Sequence, residues 1–426
     1  MTITPTILKS IITDQKHDHK LPRNYITRDI ETKLKELSNN DEIIVLTGLR
    51  RAGKSVLLQL IRTYYKKSDY YFNFEDDRLS HFTSQNFQLL YETFIEIYGI
   101  QQTFFFDEIQ NIKGWETFVR RLYNAGCKIY ITGSNANLFS QDLGTRLTGR
   151  YIPVTIYPLS FHEYVGNTEP SIANNKHFGT KEIGVIKNLF GEFIKHGGIP
   201  EYVKRGQKEY LHTLYESIIY RDIVTRYKLK DATLIKNIAH YLASNIGKEI
   251  TANSLKNIFG VANSVTISHY LDYLQHSFLF CLVNRYHKSL KTQLRSPRKN
   301  YIIDPAMANL IGFRHSDDYG RMLENIIFLE LKRRGHELFY FSETNECDFI
   351  VQKNNTVTSA IQVSLNISNS TTRNRELIGL KTAMKHFNLQ EGFIITQDEE
   401  ETIFIETDEG NKDTIHIIPA YKWLLT

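Results

Sequence analysis

The sequence predicts an α/β fold built on a parallel sheet, followed by a mainly helical region and a second, smaller α/β region. Three observations predict it. Short apolar segments alternate with amphipathic ones up to about residue 165, a glycine-rich loop joins the first such strand to the next helix, and a mixed pattern with several strand-like segments returns after about residue 320. Because one core rarely fills a chain of 426 residues, several domains are expected.

Five short segments rich in β-branched and aromatic residues are predicted to be strands buried on both faces. They are residues 42–48, 69–74, 103–108, 127–133 and 150–156. Helix-like segments separate them at residues 55–67, 84–99 and 115–126. Such alternation is typical of a parallel sheet with helices on both faces.

The segment GLRRAGKS matches the phosphate-binding pattern G-x-x-x-x-G-K-[ST] and lies between a predicted strand and a predicted helix. Backbone N–H groups of such a loop, together with the helix N-terminus, attract phosphate. We expect Lys54 to contact the β- and γ-phosphates and Ser55 to bind Mg²⁺. A chance glycine-rich turn is the alternative. The expected nucleotide-binding residues are Gly48, Leu49, Arg50, Arg51, Ala52, Gly53, Lys54, Ser55 and Val56.

Two acids end the third predicted strand, in the segment TFFFDEIQ. Because Mg²⁺ prefers oxygen ligands and an attacking water needs a base, we expect Asp107 to hold the metal ion and Glu108 to act in catalysis by activating water. This strand is expected to neighbour the strand before the glycine-rich loop. Paired acids favour hydrolysis over a kinase reaction, and the sequence contains no N-K-x-D motif, which favours ATP over GTP. Two solvated acids are the alternative.

Further catalytic candidates follow the fourth predicted strand. In ITGSNA, Ser134 or Asn135 is expected beside the γ-phosphate, although a simple turn would have the same sequence. In TRLTGRY, Arg146 and Arg150 are candidate arginine fingers in cis or in trans, which stabilise charge on a transferring phosphoryl group. Structural salt bridges explain these two arginines equally well.

Taken together, these segments resemble the prokaryotic AAA-like ATPases that carry a C-terminal domain of unknown function of the DUF4143 type. The resemblance extends from about residue 24 to near the end and rests on GLRRAGKS, FFFDEIQN, TGSNA, LTGRY with YPLSFHEY, GGIPEYV, YRDI and TRNREL. It implies a P-loop domain of the ASCE type, a helical lid, a winged helix and a domain related to PD-(D/E)xK nucleases. These correspond to residues 1–165, 166–228, 229–315 and 316–426. The resemblance also places Pro200, in a G-I-P motif, near the adenine, although a Gly-Pro turn between helices would look identical.

Basic charge is concentrated between residues 228 and 299, where eleven Lys and Arg face three acids, although the whole chain has a net charge of only +5. Such a segment suits a polyanion. Residues 250–286 are predicted to form helix, turn, helix and strand, with Ser264 and Thr266 capping the second helix. A winged helix would use its basic residues on DNA phosphates; packing against the ATPase domain is the alternative. Those residues are Arg285, Lys288, Lys291 and Arg295.

The C-terminal region matches the PD-(D/E)xK nuclease pattern only in part. Asp348 and Glu324 fit it, but Gln362 and Ser364 stand where the resemblance implies Glu-x-Lys. A divalent ion needs charged oxygen ligands, and neither Glu324 nor Glu346 could replace the missing lysine. We therefore expect a degenerate nuclease fold that does not cut DNA.

The first functional hypothesis is an ATP hydrolase that uses Mg²⁺ and controls DNA or partner binding by its C-terminal half. The second is a regulatory ATP switch that binds a protein partner without nucleic acid, and the third is an ATP-gated DNA nuclease. With 41% hydrophobic and 23% charged residues, the composition excludes a disordered or collagen-like chain. Without a signal pattern or a long apolar run, we expect a cytoplasmic protein with no membrane partner. The oligomeric state stays open.

Overall fold

The computed structural model forms two compact units. The first comprises Met1–Tyr157 with His276–Phe278, and the second comprises Pro158–Gln275 with Leu279–Thr426. The predicted division into four domains remains a prediction, because these units do not separate its last three parts. The structure describes residues 3–18, 21, 25–64, 69–134, 147, 149–173, 175, 177–313, 319–406 and 412–426.

The first unit contains a five-stranded sheet whose strands are all parallel, in the order β2-β3-β4-β1-β5. Every strand and helix that was predicted in this unit lies within a few residues of its predicted position, so the α/β prediction is confirmed, whereas α1 and α2 were not predicted. The strands are β1 Ile43–Gly48, β2 Tyr70–Asn73, β3 Thr103–Asp107, β4 Lys128–Gly133 and β5 Tyr151–Ile156. The helices are α1 Pro5–Asp18, α2 Ile30–Leu37, α3 Lys54–Tyr64, α4 Phe87–Tyr98 and α5 Trp115–Asn124.

The strand order corrects one expectation. β4 lies between β1 and β3, so the strand that ends at Asp107 is not the neighbour of the strand before the glycine-rich loop. The order of strands along the chain does not determine which strands are neighbours in a parallel sheet. The crossover between two parallel strands can leave room for a later strand between them. The insertion brings the end of β4 between the two predicted motifs.

The three consecutive phenylalanines of β3 show why the strand is apolar throughout. Phe104 and Phe106 lie in the core that α1, α4 and α5 cover, where Phe104 packs 4.9 Å from the Tyr70 ring. Phe105 points to the opposite face and stacks on Tyr130, with ring centroids 4.7 Å apart. Successive strand residues alternate between faces, so burial of both faces requires an uninterrupted apolar run.

The second unit begins with helices. They are α6 Phe161–Thr168, α7 Pro170–Ala173, α8 Thr180–His196, α9 Pro200–Arg205, α10 Lys208–Ser217, which continues into a π-helix at Ile218–Thr225, and α11 Thr233–Ser244. A small antiparallel sheet of order β6-β8-β7 follows. Its strands and adjoining helices are β6 Glu249–Ile250, α12 Ala252–Phe259, α13 Ser264–His276, β7 Phe280–Asn284, α14 Leu290–Arg295, β8 Arg298–Ile302 and α15 Pro305–Ile311.

The predicted helix, turn, helix and strand over residues 250–286 are present. Gly260 ends α12 in the left-handed conformation, at φ 64°. The cap of α13 differs from the expectation, because the Asn263 side chain, and not Ser264 or Thr266, accepts the Val265 N–H at 2.8 Å. Asn forms such a local turn with its own backbone two residues on, which makes it a good residue before a helix.

The chain ends in a six-stranded mixed sheet of order β13-β14-β12-β11-β10-β9, in which β11, β12 and β14 are parallel. Among the helices of the described residues, none combines the length and apolarity that crossing a bilayer requires. The elements are α16 Tyr319–Arg333, β9 Glu337–Ser342, β10 Glu346–Lys353, β11 Thr356–Val363, α17 Ser370–Phe387, β12 Glu391–Thr396, β13 Glu401–Glu406, β14 Lys412–Pro419 and α18 Ala420–Trp423.

Phe104→Ala should lower the free energy of unfolding of the first unit by about 3–5 kcal/mol, because it leaves a cavity in a fully buried aromatic core. Urea unfolding followed by tryptophan fluorescence measures the loss, since Trp115 lies in the same core. Ile100→Ala is the matched control, because that side chain is 75% exposed and should change stability by less than about 0.5 kcal/mol. Equal losses in both variants would contradict this packing.

Candidate functional site

The glycine-rich loop leaves the carboxyl end of β1 and enters α3. Gly48 has a φ of 140°, and a Cβ atom added there would lie 2.2 Å from the carbonyl oxygen of Ile156 on β5. No other residue fits this position without moving β5. Gly53, at φ 102°, turns the chain into the helix that Lys54 begins. The loop is thus shaped by two glycines that the motif predicts.

The Lys54 side chain is buried beneath this loop. Its ammonium donates hydrogen bonds to the carbonyl oxygens of Gly48 at 3.1 Å and Leu49 at 2.9 Å. Both of these partners are neutral, and the positive charge of the lysine also acts on Asp107 and Glu108, whose pKa values it lowers against the effect of burial. A phosphate group is a stronger partner for that charge than a carbonyl.

Asp107 ends β3 and lies fully buried, where three hydroxyl groups reach it. Ser55 donates to Oδ1 at 3.1 Å, Thr132 donates to the same oxygen, and Tyr71 donates to Oδ2 at 3.3 Å. Burial raises the pKa of Asp107 above its usual value, and the hydrogen bonds from Thr132 and Ser55 oppose the rise. Ser55 and Asp107 together present the hydroxyl and carboxylate oxygens that suit Mg²⁺.

Glu108 follows Asp107 in a left-handed backbone conformation, with φ 51° and ψ 38°. Its N–H donates to Thr132 Oγ1 at 2.9 Å. Its carboxylate oxygen Oε2 accepts from the Gln110 amide and from Ser134 Oγ, the latter at 3.4 Å. Burial raises the pKa of Glu108, Lys54 opposes the rise and Asp107 adds to it. A buried carboxylate with a raised pKa is a better proton acceptor than an exposed one.

Thr132 was not among the predicted site residues, although it bonds to both acids. It accepts from the Glu108 N–H and donates to Asp107 from the end of β4. The available signal was its place in ITGSNA, one residue before the strand's last glycine. Tyr71 and Gln110 were missed as well, because single hydrogen-bonding residues on a strand or in a turn carry no pattern of their own.

Arg28 is a further residue that the sequence did not indicate. Its guanidinium donates to the carbonyl oxygen of Ala52 at 3.0 Å and to that of Tyr157 at 2.6 Å. The first carbonyl belongs to the glycine-rich loop and the second lies just after β5. This buried arginine therefore ties the loop to the end of the neighbouring strand.

The remaining predicted loop residues have different surroundings. Leu49 and Ala52 are buried and anchor the loop, whereas Arg51 is exposed with φ 65°. Arg50 forms an ion pair with Glu75 at 3.1 Å. Val56 is half-buried in the first turn of α3.

Among the other candidates, Arg150 lies away from the loop. Arg150 precedes β5 beside Ile43, at the amino end of the sheet, and its guanidinium lies 5.9 Å from the Tyr123 ring. The glycine-rich loop lies at the opposite, carboxyl end of the sheet. The expectation that Arg150 acts as an arginine finger in cis is therefore wrong, and its role as a finger in trans remains a prediction. Pro200 begins α9 in the second unit, and its contact with adenine remains a prediction. Asn135 and Arg146 lie outside the described residues.

The predicted nuclease-like residues line a polar cavity of about 760 Å³ in the second unit. Gln362 accepts from the Asp348 N–H at 3.2 Å and donates to Glu376 at 2.5 Å. Ser364 donates to the carbonyl oxygen of Asn366 at 3.1 Å. Both side chains at the Glu-x-Lys positions thus serve the domain's own hydrogen bonds.

The basic residues between β7 and β8 are largely at the surface. Lys288, Lys291 and Arg295 are exposed, and Arg285 is half-buried at the end of β7. Leu290 and Leu294 on α14 are also exposed, at 66% and 70%. This segment, residues 285–295, is called the basic wing below.

Two parts of the chain match known families. Residues 40–165 match a family described as AAA domain, and residues 187–317 match a domain of unknown function, DUF8612. The first match confirms the AAA-like part of the resemblance. The DUF4143-type and nuclease-like parts remain predictions.

Curated relatives extend over nearly the whole chain. The uncharacterized protein MJ1544 of Methanocaldococcus jannaschii is 34% identical over 417 residues, which are 94% of this chain and 91% of the relative. An uncharacterized protein of Haemophilus influenzae is 32% identical over 378 residues, 85% of this chain and 91% of the relative. Among solved structures, a Walker-type ATPase of Pyrococcus abyssi matches with a TM-score of 0.45 and 16% identity, over 68% of this chain and 97% of that one.

Arg28→Met should weaken the binding of nucleotide by about tenfold, because the carbonyls of Ala52 and Tyr157 lose their donor and the loop loses its hydrogen bond to the end of β5. Titration with a fluorescent ATP analogue measures the affinity. Arg78→Met, which breaks exposed ion pairs with Asp14 and Asp76, is the control and should leave the affinity unchanged. Unaltered binding in Arg28→Met would mean that the loop keeps its shape without this arginine.

Proposed function

Since the chain belongs to one family with these Methanocaldococcus and Haemophilus proteins and carries an AAA-type P-loop domain, we propose that it binds ATP with Mg²⁺ and hydrolyses the ATP. The observation that carries the proposal is the convergence of four side chains at the carboxyl end of one parallel sheet. An ammonium, a hydroxyl and two acids meet there. They are Lys54, Ser55, Asp107 and Glu108.

The residues divide the chemistry between them. Lys54 and the loop N–H groups would hold the phosphates, while Ser55 and Asp107 would hold Mg²⁺, which neutralises phosphate charge when bound. Glu108 would take a proton from the attacking water. Gln110 and Ser134, which bond to one oxygen of Glu108, fix the orientation of this carboxylate. Thr132 fixes the backbone that carries both acids.

Glu108→Gln should keep ATP binding and lower kcat by about 100- to 1,000-fold, because the amide has nearly the same shape but cannot accept the proton. Lys54→Ala should instead abolish ATP binding, because the phosphates lose their cation. Phosphate release and nucleotide titration separate the two steps. Glu36→Gln, which removes the same charge from an exposed position on α2, is the control and should have no effect. A Glu108→Gln variant with unchanged kcat would remove Glu108 from the mechanism.

We further propose that the second unit binds double-stranded DNA through the basic wing. The support is the exposed Lys288, Lys291 and Arg295, combined with a segment in which basic residues outnumber acids by eleven to three. The face of α13 has no cluster of Arg, Asn or Gln. Binding would therefore rest on phosphate contacts and vary little with DNA sequence.

Replacing Arg285, Lys288 and Lys291 together by Ala should weaken DNA binding and flatten its salt dependence by up to about one log unit of slope per lost contact. Fluorescence anisotropy with labelled duplex at several salt concentrations, with ATP present, measures both effects. A second triple variant removes the same charge from exposed positions elsewhere, Lys33, Lys181 and Lys208. If the wild type does not retain duplex at low salt, the hypothesis of a switch that binds a protein partner is the better one.

A further inference from the structure

Lys299 on β8 reaches three carboxylates that belong to other elements of the second unit. Its ammonium lies 2.8 Å from Asp348 Oδ1, 3.2 Å from Glu324 Oε1 and 2.5 Å from Glu346 Oε1. Glu324 comes from α16, and the other two acids come from the start of β10. The lysine side chain is only 3% exposed, so water does little to screen its charge.

The charge of this lysine is fixed by its surroundings. Burial alone would lower the pKa of Lys299, but Asp348, Glu324, Tyr301 and Glu346 together outweigh burial and raise it well above its usual value. Two neutral donors complete the arrangement. Tyr301 OH donates to Glu324 Oε1 at 2.6 Å, and the Val363 N–H donates to Asp348 Oδ2 at 2.9 Å.

The position of the ammonium is that of a bound cation. Its three carboxylate contacts, 2.5–3.2 Å long, suit an N–H donor, whereas Mg²⁺ requires oxygens at about 2.0–2.1 Å in octahedral geometry. A divalent ion on the same oxygens would be in contact with a buried positive charge. Among the described residues, no group of three His, Cys, Asp or Glu is arranged to hold a metal ion.

The size of the cavity does not keep divalent metal ions out. Glu324, Glu346 and Asp348 line the polar cavity of about 760 Å³, which is large enough to admit hydrated ions. Glu346 is also 47% exposed at its side chain, so one of the three acids can move. The cavity is therefore open to ions, but with Lys299 between them its three acids are not arranged to hold one.

We infer that the Lys299 ammonium takes the place of a divalent metal ion in this cavity, so that the wild-type cavity binds neither Mg²⁺ nor Mn²⁺ and removal of that one charge converts it into a metal site. The inference concerns the second unit and does not rest on ATP hydrolysis. The sequence suggested that a lysine had been lost at Ser364; the structure supplies one from a different sheet.

The test uses the full chain in an Asp107→Asn background, so that the P-loop does not contribute a bound ion. Lys299→Met keeps the apolar stem and removes the charge. Electron paramagnetic resonance counts bound Mn²⁺ in the parent and in the variant, without nucleotide. We expect one additional ion in Lys299→Met, bound at least tenfold more tightly than any ion in the parent, and its loss when Asp348→Asn is added. A folded Lys299→Met that binds no more Mn²⁺ than its parent would overturn the inference.

A second measurement needs no Lys299 variant and decides the matter if Lys299→Met does not fold. Wild-type crystals soaked in MnCl₂ should show no anomalous scattering peak beside Asp348. A peak there would refute the inference. So would cleavage of supercoiled DNA by the wild-type protein with Mn²⁺ that disappears in Asp348→Asn, because that reaction would require the metal that Lys299 is inferred to exclude.

Discussion

The buried carboxylate of Asp107 is the group on which the site of the first unit depends. It lies at the end of β3 and accepts hydrogen bonds from Ser55 on α3 and Thr132 on β4. An ionised carboxyl group without partners in such a place would cost several kcal/mol. The Asp107 carboxylate therefore holds β3, α3 and β4 together, because α3 and β4 each donate a hydrogen bond to it. Because Thr132 also accepts from the Glu108 N–H, the same residue orients the second acid.

The parts of this site that the sequence predicts are those with a local signal. The glycine-rich loop is contiguous, its glycines are needed for their φ angles, and β1 and β3 are apolar because both of their faces are buried. The position of β4 between β1 and β3 has no such signal, since it depends on how crossovers pass each other. The hydrogen bonds that Thr132 and Arg28 make to distant parts of the chain likewise have no local signal. Arg28 contacts Tyr157, which is 129 residues away in the chain.

In the second unit, too, a contact between residues that are distant in the sequence could not be predicted. A search for Glu-x-Lys along one strand finds Gln362 and Ser364 and predicts that positive charge has been lost. In the folded chain Lys299 places an ammonium 2.8 Å from Asp348, although 49 residues separate them. Which charges pair in a buried site depends on the distances between side chains in the folded chain and not on their separation in the sequence. The Lys299 ammonium offsets part of the negative charge that Asp348, Glu324 and Glu346 bring together.

The charges of Lys54, Asp107 and Glu108 also couple the binding of nucleotide to the binding of Mg²⁺ in the first unit. Lys54 donates to two neutral carbonyls, and its charge only opposes the effect of burial, which raises the pKa values of Asp107 and Glu108. A triphosphate alone would satisfy Lys54 but would bring several negative charges toward two acids that are costly to keep ionised. Mg²⁺ would remove that conflict at Asp107, since a cation beside the carboxylate favours its charged form. Nucleotide and metal ion should therefore stabilise each other in this site, and in the proposed mechanism Glu108 is then the acid that accepts a proton.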